Sequence, residues 1–164
     1  GGVVGRVDAV VERIYPVRYF EKTVEGGRFL SEYEEEMVQL SHELQCEQLW
    51  EKKKMLLEKT GVSSDISSEI PERSSTTTLT ILLTCCHSLS KTKRRCMLTI
   101  WDLGEELRDR LVEGNRVRIR NLIPTERSLF RGGPIQLQTQ RRLTRWIDAE
   151  EATKDCLVRS TFYT

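Results

Sequence analysis

A single long helical segment interrupts a chain whose other patterns are those of β-strands. It begins at SEYE, residues 31–34, where the Ser31 hydroxyl can accept from the N–H of Glu34 and the Glu34 carboxylate from the N–H of Ser31. Glutamates follow in the first turns, and lysines 52–54 lie near the other end, which suits the helix dipole. Gly61 can adopt the left-handed conformation that ends helices. We predict one helix over residues 32–59, about 42 Å long.

One face of this predicted helix is apolar and needs cover. Its apolar residues recur at alternating spacings of three and four until the phase is lost at Glu47: they are Leu30, Tyr33, Met37, Leu40 and Leu44. Either the helix folds back on the rest of the domain, which we favour, or it pairs with a partner helix. The Ser-rich residues 62–75 that follow are typical of a flexible return linker.

Five segments have the composition and period of strands. TTTLTILLT, residues 76–84, is the clearest, with Leu79, Ile81 and Leu83 on one face, and CMLTIW completes a hairpin with it across a basic turn. A short helix, GEELRDRLVEGN, precedes the fourth strand and is closed by Gly114. The five segments are residues 3–15, 76–84, 96–101, 115–122 and 135–146.

The order strand, insertion, strand, strand, short helix, strand, strand is typical of one small barrel. We therefore predict a mainly β fold with a helical insertion: a five-stranded OB-fold barrel with the long helix inserted between strands 1 and 2. In this prediction residues 1–164 form a single OB-fold domain, and residues 24–75 form the helical insertion within it. The loop between strands 1 and 2 of an OB-fold helps to frame its binding groove.

Positive charge is concentrated in the C-terminal half. The net charge is only +1, yet residues 91–145 contain 14 Lys and Arg against 6 Asp and Glu. In EGNRVRIRNL, residues 113–122, three arginines alternate with other residues, so a strand would present all three guanidiniums on one face. Such a block favours a polyanion-binding surface. It is also compatible with a solvated face that binds nothing.

OB-folds bind single-stranded nucleic acid across strands 2 and 3, between the loops that flank them. Cationic side chains neutralise phosphates there, and aromatic rings stack on bases. On this expectation the candidate nucleic-acid-binding residues are Lys91, Lys93, Arg94 and Arg95 in the hairpin turn, Trp101 at the end of strand 3, Arg118 and Arg120 on strand 4, Arg127, Phe130 and Arg131 in the loop between strands 4 and 5, and Arg141 and Arg142 on strand 5.

Some of these candidates also fit structural roles. Trp101 lies next to core positions, so packing and stacking are equally compatible with it. The strand-4 arginines can face away from the groove or pair with the acidic residues of the long helix. Phe130 lies in a polar loop between two arginines, which favours a base contact.

No pattern for catalysis or metal binding is found. His42 and His87 have no serine or cysteine at a motif spacing, and the glycines at 132–133 precede a strand, so no phosphate-binding loop is predicted. Adjacent Cys85 and Cys86 point to opposite faces of a strand, which disfavours a shared zinc ion. We expect no enzyme, no metal and no cofactor. Five cysteines without framework spacing favour reduced thiols inside a cell, and no apolar run is long enough to span a bilayer.

Three stretches of the chain resemble a known protein family. They are GGVVGRVDAVVERIYPVRYFEKT, TIWDLGEELRDRLVEGNRVRIRNL and PIQLQTQRRLTRW. The chain is similar to the second OB-fold of the DNA-binding region of the breast cancer type 2 susceptibility protein family. The acidic run EYEEE begins an inserted helix at the corresponding point, and the resemblance covers most of the chain outside residues 60–75.

The resemblance implies a homologous-recombination mediator that acts in the nucleus. Such a protein binds single-stranded DNA through tandem OB-folds and loads a RecA-like recombinase onto it in double-strand break repair. The implied partners are the neighbouring OB-folds of the same chain, the recombinase, bound by other parts of the full-length protein, and the small acidic deleted-in-split-hand/split-foot protein. No membrane partner is expected.

The chain departs from the family in the insertion. In the family this segment is a tower domain of two long antiparallel helices with a three-helix bundle at its tip, proposed to contact duplex DNA. Here the ascending helix is present in residues 31–59, but a Ser-rich stretch replaces the returning helix and the bundle. Duplex binding by a tip is therefore not expected. The alternative function is a scaffold OB-fold that binds an acidic protein partner and neighbouring domains without direct DNA contact, and an RNA-binding module is a third.

Overall fold

The computed structural model describes residues 2–61, 70–86, 94–125 and 133–147. The chain divides into a β-rich unit, made of Gly1–Val17 and Thr77–Thr164, and a hairpin–helix unit, Arg18–Thr76. The fold is mainly β, with a long helix between the third and fourth strands. The elements are β1 (Val4–Ile14), β2 (Arg18–Thr23), β3 (Gly26–Ser31), α1 (Glu32–Thr60), β4 (Ser75–Cys85), β5 (Arg95–Trp101), α2 (Glu105–Arg110), β6 (Arg116–Pro124), β7 (Ile135–Gln138) and β8 (Arg145–Ile147).

The strands of the β-rich unit pair along most of a ring. β1 is antiparallel to both β4 and β6, β4 is antiparallel to β5, and β5 is parallel to β7. Between β6 and β7 the described residues form two pairs, Ile123 with Gln138 and Pro124 with Leu137. The sheet therefore closes only partly into a ring. The prediction of a mainly β fold with a helical insertion is confirmed.

One side of each of these strands builds the core of the β-rich unit. Leu79, Ile81 and Leu83 of β4 are at most 3% exposed, as their alternation predicts. They pack with Leu98 and Ile100 of β5 and with aliphatic residues of the other strands: Ala9, Val11, Val117, Ile119, Leu122 and Leu137. Residues at the intervening strand positions point outward. These outward positions supply the surface that a ligand can reach.

The predicted last strand, residues 135–146, is in fact two short strands separated by a turn. β7 covers only the first 4 residues of this stretch. The N–H groups of Leu143 and Thr144 both donate to the carbonyl oxygen of Gln140, and the side-chain amide of Asn121, a β6 residue with φ at 62°, donates to the carbonyl of Leu143. These hydrogen bonds stabilise a turn where alternation alone predicts a continuous strand.

The hairpin–helix unit begins with a hairpin that the sequence patterns did not predict. β2 and β3 pair antiparallel along their whole lengths. Gly26 and Gly27, which composition alone would assign to a loop, both belong to β3. The ring of Phe20 packs on Phe29 with 5.1 Å between centroids, and it covers Gly27 so closely that an added Cβ would lie 2.1 Å from Cζ of Phe20. A glycine is required there because the ring approaches the backbone too closely to admit a side chain.

Both ends of α1 agree with the prediction. The Ser31 hydroxyl accepts from the N–H of Glu34 at 3.2 Å, and the Glu34 carboxylate accepts from the N–H of Ser31 at 2.9 Å. Gly61 has φ at 64°, and its N–H donates to the carbonyl of Leu57. No described residue of α1 is buried. The predicted apolar stripe is therefore exposed at Tyr33, Met37, Leu40 and Leu44.

Arg73 ties the helix to the hairpin within this unit. It donates from Nε to Glu21 at 2.8 Å, from Nη1 to Gln39 at 2.8 Å and from Nη2 to Glu35 at 2.9 Å. Glu21 is 7% exposed and also accepts from Nε of Arg28 at 2.7 Å. The hydrogen bond from Arg73, helped by Arg28 and opposed by burial, holds the pKa of the Glu21 carboxyl below its usual value.

Candidate nucleic-acid interface

The outward side of β4, β5 and β7 carries a mixture of apolar and polar side chains, and we name it the β4–β5 face. Its residues lie between core positions on their strands, so the pleat of the sheet directs them away from the core. Two cross-strand rows define it by register: Leu82, Met97 and Gln136, then Thr80, Thr99 and Gln138. The face combines an apolar centre with side-chain amides that can hydrogen-bond.

Trp101 ends β5 at one edge of this face. Its indole Nε1 donates to Oε1 of Gln138 at 3.1 Å, and its backbone N–H donates to the hydroxyl of Thr139 at 3.0 Å. The side chain is half-buried. An indole held by a hydrogen bond at its polar edge keeps a defined orientation, and the part of the ring that stays exposed can stack on a base.

Arginines border the β4–β5 face at β1 and at the start of β5. Arg13 is the register partner of Leu82, and its guanidinium lies 5.1 Å from the ring centroid of Tyr15. Arg94 and Arg95 line a shallow depression together with Tyr15, Leu82 and Met97. Cationic, aromatic and apolar groups thus meet in one concavity, which is the combination that single-stranded nucleic acid uses.

Two of the candidate arginines form ion pairs with exposed carboxylates. Nη2 of Arg95 donates to Glu12 at 2.8 Å, with side chains 52% and 36% exposed. Nε of Arg141 lies 3.1 Å from Asp102, with side chains 81% and 53% exposed. Ion pairs this exposed contribute about 0–1 kcal/mol. A phosphate can therefore replace either carboxylate at little cost.

The arginines of β6 differ sharply in their exposure. The predicted alternation is present, since Val117 and Ile119 lie in the core while Arg118 and Arg120 point the other way. Arg118 is nevertheless only 5% exposed, and its Nε donates to Oδ1 of Asp8 on β1 at 2.5 Å. Arg120 is exposed. The carboxylate partner of Arg118 therefore comes from a neighbouring strand and not from the long helix.

Asp8 is shared between two arginines. Oδ1 accepts from Arg118 and Oδ2 accepts from Nε of Arg6 at 3.0 Å. Burial raises the pKa of the Asp8 carboxyl, but the hydrogen bonds and charges of Arg118 and Arg6 outweigh it, and the pKa lies below its ordinary value. The carboxylate is ionised at neutral pH and links β1 to β6.

The structure brings together part of the predicted site. Arg95 and Trp101 lie at the two ends of β5, Arg94 directly precedes it, and Arg141 and Arg142 lie exposed in the turn after β7. Arg118 and Arg120 lie on β6, which pairs with β1, β7 and β8 and not with β4 or β5. The remaining candidates lie outside the described residues: Lys91, Lys93, Arg127, Phe130 and Arg131.

Several residues of the face were missed by the sequence analysis. Leu82 stands in the run TILLT between two core residues, and Met97 follows a cysteine, so both look like core residues by composition. Arg13 and the glutamines of β7 have no motif around them. The period of two, applied strictly to the predicted strands, would have assigned Leu82 and Met97 to the outer face.

The described residues contain no group of three or more potential metal ligands, and none of their helices has the length and apolar character needed to cross a membrane. Burial, with the nearby Cys85, raises the pKa of the Cys96 thiol to about 11, so the thiol stays protonated and unreactive at neutral pH. Nε2 of His42 contacts the carbonyl oxygen of Pro71 at 3.1 Å.

Comparison with known proteins adds no assignment. The chain matches no protein-family model, and no curated protein shows significant similarity to it.

Proposed function

We propose that the β-rich unit is an OB-fold that binds single-stranded DNA. The order of pairing supports the fold: β1–β4–β5–β7–β6 returns to β1, with β5 and β7 parallel and α2 between β5 and β6. An OB-fold is a five-stranded, partly open barrel, so incomplete closure between β6 and β7 agrees with this proposal. The proposal of an OB-fold is based on this partly closed ring of strands.

The β4–β5 face carries the proposal of DNA binding. It occupies strands 2 and 3 of the proposed barrel, where OB-folds bind single strands. Trp101 supplies a ring for stacking, and Leu82 and Met97 supply an apolar floor against which further bases can pack. Arg94 and Arg95 contact phosphates beside them. None of these groups reads a base sequence, so binding has little sequence preference.

The wider role follows the family resemblance. We propose that the domain belongs to a nuclear homologous-recombination mediator that helps to load a RecA-like recombinase at double-strand breaks. The neighbouring OB-folds and the acidic deleted-in-split-hand/split-foot protein are its proposed partners. Lys91, Lys93, Arg127, Phe130 and Arg131 extend the DNA site on sequence grounds, and Arg118 positions β6 instead of touching DNA.

Fluorescence anisotropy with labelled oligo-dT at several salt concentrations tests the proposal. Binding should weaken with salt along a log–log slope of about −0.7 per contacted phosphate. Trp101→Ala should weaken binding by about 1–3 kcal/mol, because a stacked base loses its platform, while Trp101→Phe should retain most of the affinity.

The matched control is Trp50→Ala, which removes an exposed tryptophan from α1. It should leave the affinity unchanged. Equal affinities of the Trp101→Ala variant and the wild type would remove the β4–β5 face from the site. Binding to an acidic peptide without any binding to oligo-dT at low salt would instead favour the scaffold function.

A further inference from the structure

Three arginines from different strands meet in one row across the β-rich unit. Register pairs Arg6 of β1 with Arg120 of β6, and Arg120 with Arg145 of β8. Side chains directly opposite each other on neighbouring strands have Cβ atoms about 4.5–5.5 Å apart. The three guanidiniums are therefore neighbours although their residues are far apart in the chain. We name this set the arginine row.

The arginine row is exposed, and few carboxylates among the described residues neutralise it. The Arg6 side chain is 38% exposed, and both other arginines are exposed. Among residues 2–61, 70–86, 94–125 and 133–147, Asp8 is the carboxylate that pairs with the row, through Arg6, and it is bound to the buried Arg118 as well. No ion pair within these ranges involves Arg120 or Arg145. Like charges directly opposite each other destabilise a sheet, so a bound anion would relieve the repulsion.

The row lies on strands that do not form the β4–β5 face. Val7, Ile119 and Trp146, which alternate with the arginines, pack against the core, so the row is on the outer surface. Its neighbours on the same side of the strands are Asp8, Arg118 and Ile147, and β6 pairs with neither β4 nor β5. No aromatic ring among the described residues belongs to this side of the three strands. The surface is suited to phosphates and not to bases.

We propose that the arginine row binds the sugar–phosphate backbone of a DNA strand that continues from the β4–β5 face. A planar guanidinium can donate two parallel hydrogen bonds to the oxygens of one phosphate, and it remains charged at any physiological pH. Three strands at a spacing of about 4.8 Å give the row a length of about 10 Å, which exceeds one phosphate group and suits successive phosphates of a chain. This inference rests on the proposed DNA-binding function and gives it a second contact surface.

The double variant Arg120→Gln with Arg145→Gln, made in the full 164-residue chain, is the direct test. Because only a long strand reaches both surfaces, binding of a short oligo-dT of about 8 nucleotides should be unchanged, within the known site sizes of OB-folds. For a 30-nucleotide oligo-dT the log–log salt slope should become shallower by about 1.4, since two phosphate contacts are lost. The control variant, Arg108→Gln with Arg110→Gln on α2, removes the same amount of charge. It should leave the salt slope unchanged for both the 8-nucleotide and the 30-nucleotide oligo-dT.

NMR of the arginine Nε–H groups provides a readout that does not need DNA affinity. Inorganic tripolyphosphate should shift the signals of Arg120 and Arg145 more than that of Arg108. If the Gln variant leaves the 30-nucleotide slope unchanged, the arginine row is excluded as a DNA contact, and a persisting effect of Trp101→Ala shows that the proposed function survives.

Two further outcomes would also overturn the inference. If the wild type binds no oligo-dT of either length, the proposed function fails and the backbone assignment fails with it. If polyglutamate binds the row as tightly as the 30-nucleotide DNA at equal salt, the row recognises acidic protein rather than nucleic acid.

Discussion

Replacement of Asp8 by asparagine tests whether a buried ion pair holds β1 to β6. The side chains of Asp8 and Arg118 are only 4% and 6% exposed, so water screens the pair very little. Asparagine keeps the size of the side chain but removes the negative charge that Asp8 places beside the buried guanidinium of Arg118. Breaking a buried pair in this way typically lowers the free energy of unfolding by about 3–5 kcal/mol. We expect a loss of about 3 kcal/mol, at the low end of this range, because Arg6, the second partner of Asp8, is more exposed and water can solvate it in the variant.

Urea unfolding followed by tryptophan fluorescence measures this loss. In a Trp50→Phe background the two remaining tryptophans, Trp101 and Trp146, both belong to the β-rich unit. Thermal unfolding should report the same loss: at about 2–4 °C per kcal/mol for a chain of this size, the melting temperature should fall by about 6–12 °C. Glu106→Gln is the matched control, because its pair with Arg110 is 3.2 Å long and largely exposed, and its loss should cost less than about 0.5 kcal/mol.

The same carboxylate predicts a pH dependence. The folded-state pKa of Asp8 is lowered, so its contribution to stability is complete above its unfolded pKa, near 3.8, and is lost as the pH falls through the folded pKa. Wild-type stability should therefore fall more steeply in acid than that of the Asp8→Asn variant. If Asp8→Asn costs no more than Glu106→Gln, and the two pH profiles are parallel, the argument for a buried pair is refuted.

Two further predictions concern the hairpin–helix unit. Arg73→Met should speed amide exchange in α1 and in the hairpin, since Glu21 loses a hydrogen-bonded partner in a buried position, and equal exchange rates in the variant and the wild type would contradict the role of Arg73. Gly27→Ala should destabilise the unit by about 1–3 kcal/mol, measured by urea unfolding, because the added methyl overlaps the ring of Phe20; Phe20→Leu should restore much of the loss, and an unchanged midpoint for Gly27→Ala would disprove the close packing.

The ends of α1 could be predicted because they depend on residues close in sequence. Ser31 and Glu34 satisfy each other's backbone N–H groups, and Gly61 adopts the left-handed conformation that its neighbours require. The core face of β4 was also predictable, since a period of two is a local property. The apolar stripe of α1 shows the limit of this reasoning. The spacing of Tyr33 and Leu44 predicts that they share a helix face, but it does not predict whether another element covers that face.

The hairpin and the buried arginine depend on contacts that no local pattern records. The two residues between β2 and β3, Val24 and Glu25, are not typical of a hairpin turn, and Gly27 is explained only by the ring of Phe20 on the opposite strand. The residues that flank Arg118 in the sequence, Val117 and Ile119, would flank an exposed arginine equally well. Its burial follows from Asp8, which lies 110 residues earlier in the chain.

The short link between β6 and β7 has a consequence for how the β-rich unit would respond to a ligand. Two residue pairs join these strands, whereas six join β1 to β6, so local opening is easiest between β6 and β7. A polynucleotide that passes from the β4–β5 face to the arginine row by way of β7 crosses the boundary between β6 and β7 and contacts both strands. A bound long DNA strand would then make the unit more rigid. A bound short DNA strand would leave β6 and β7 as free to separate as before.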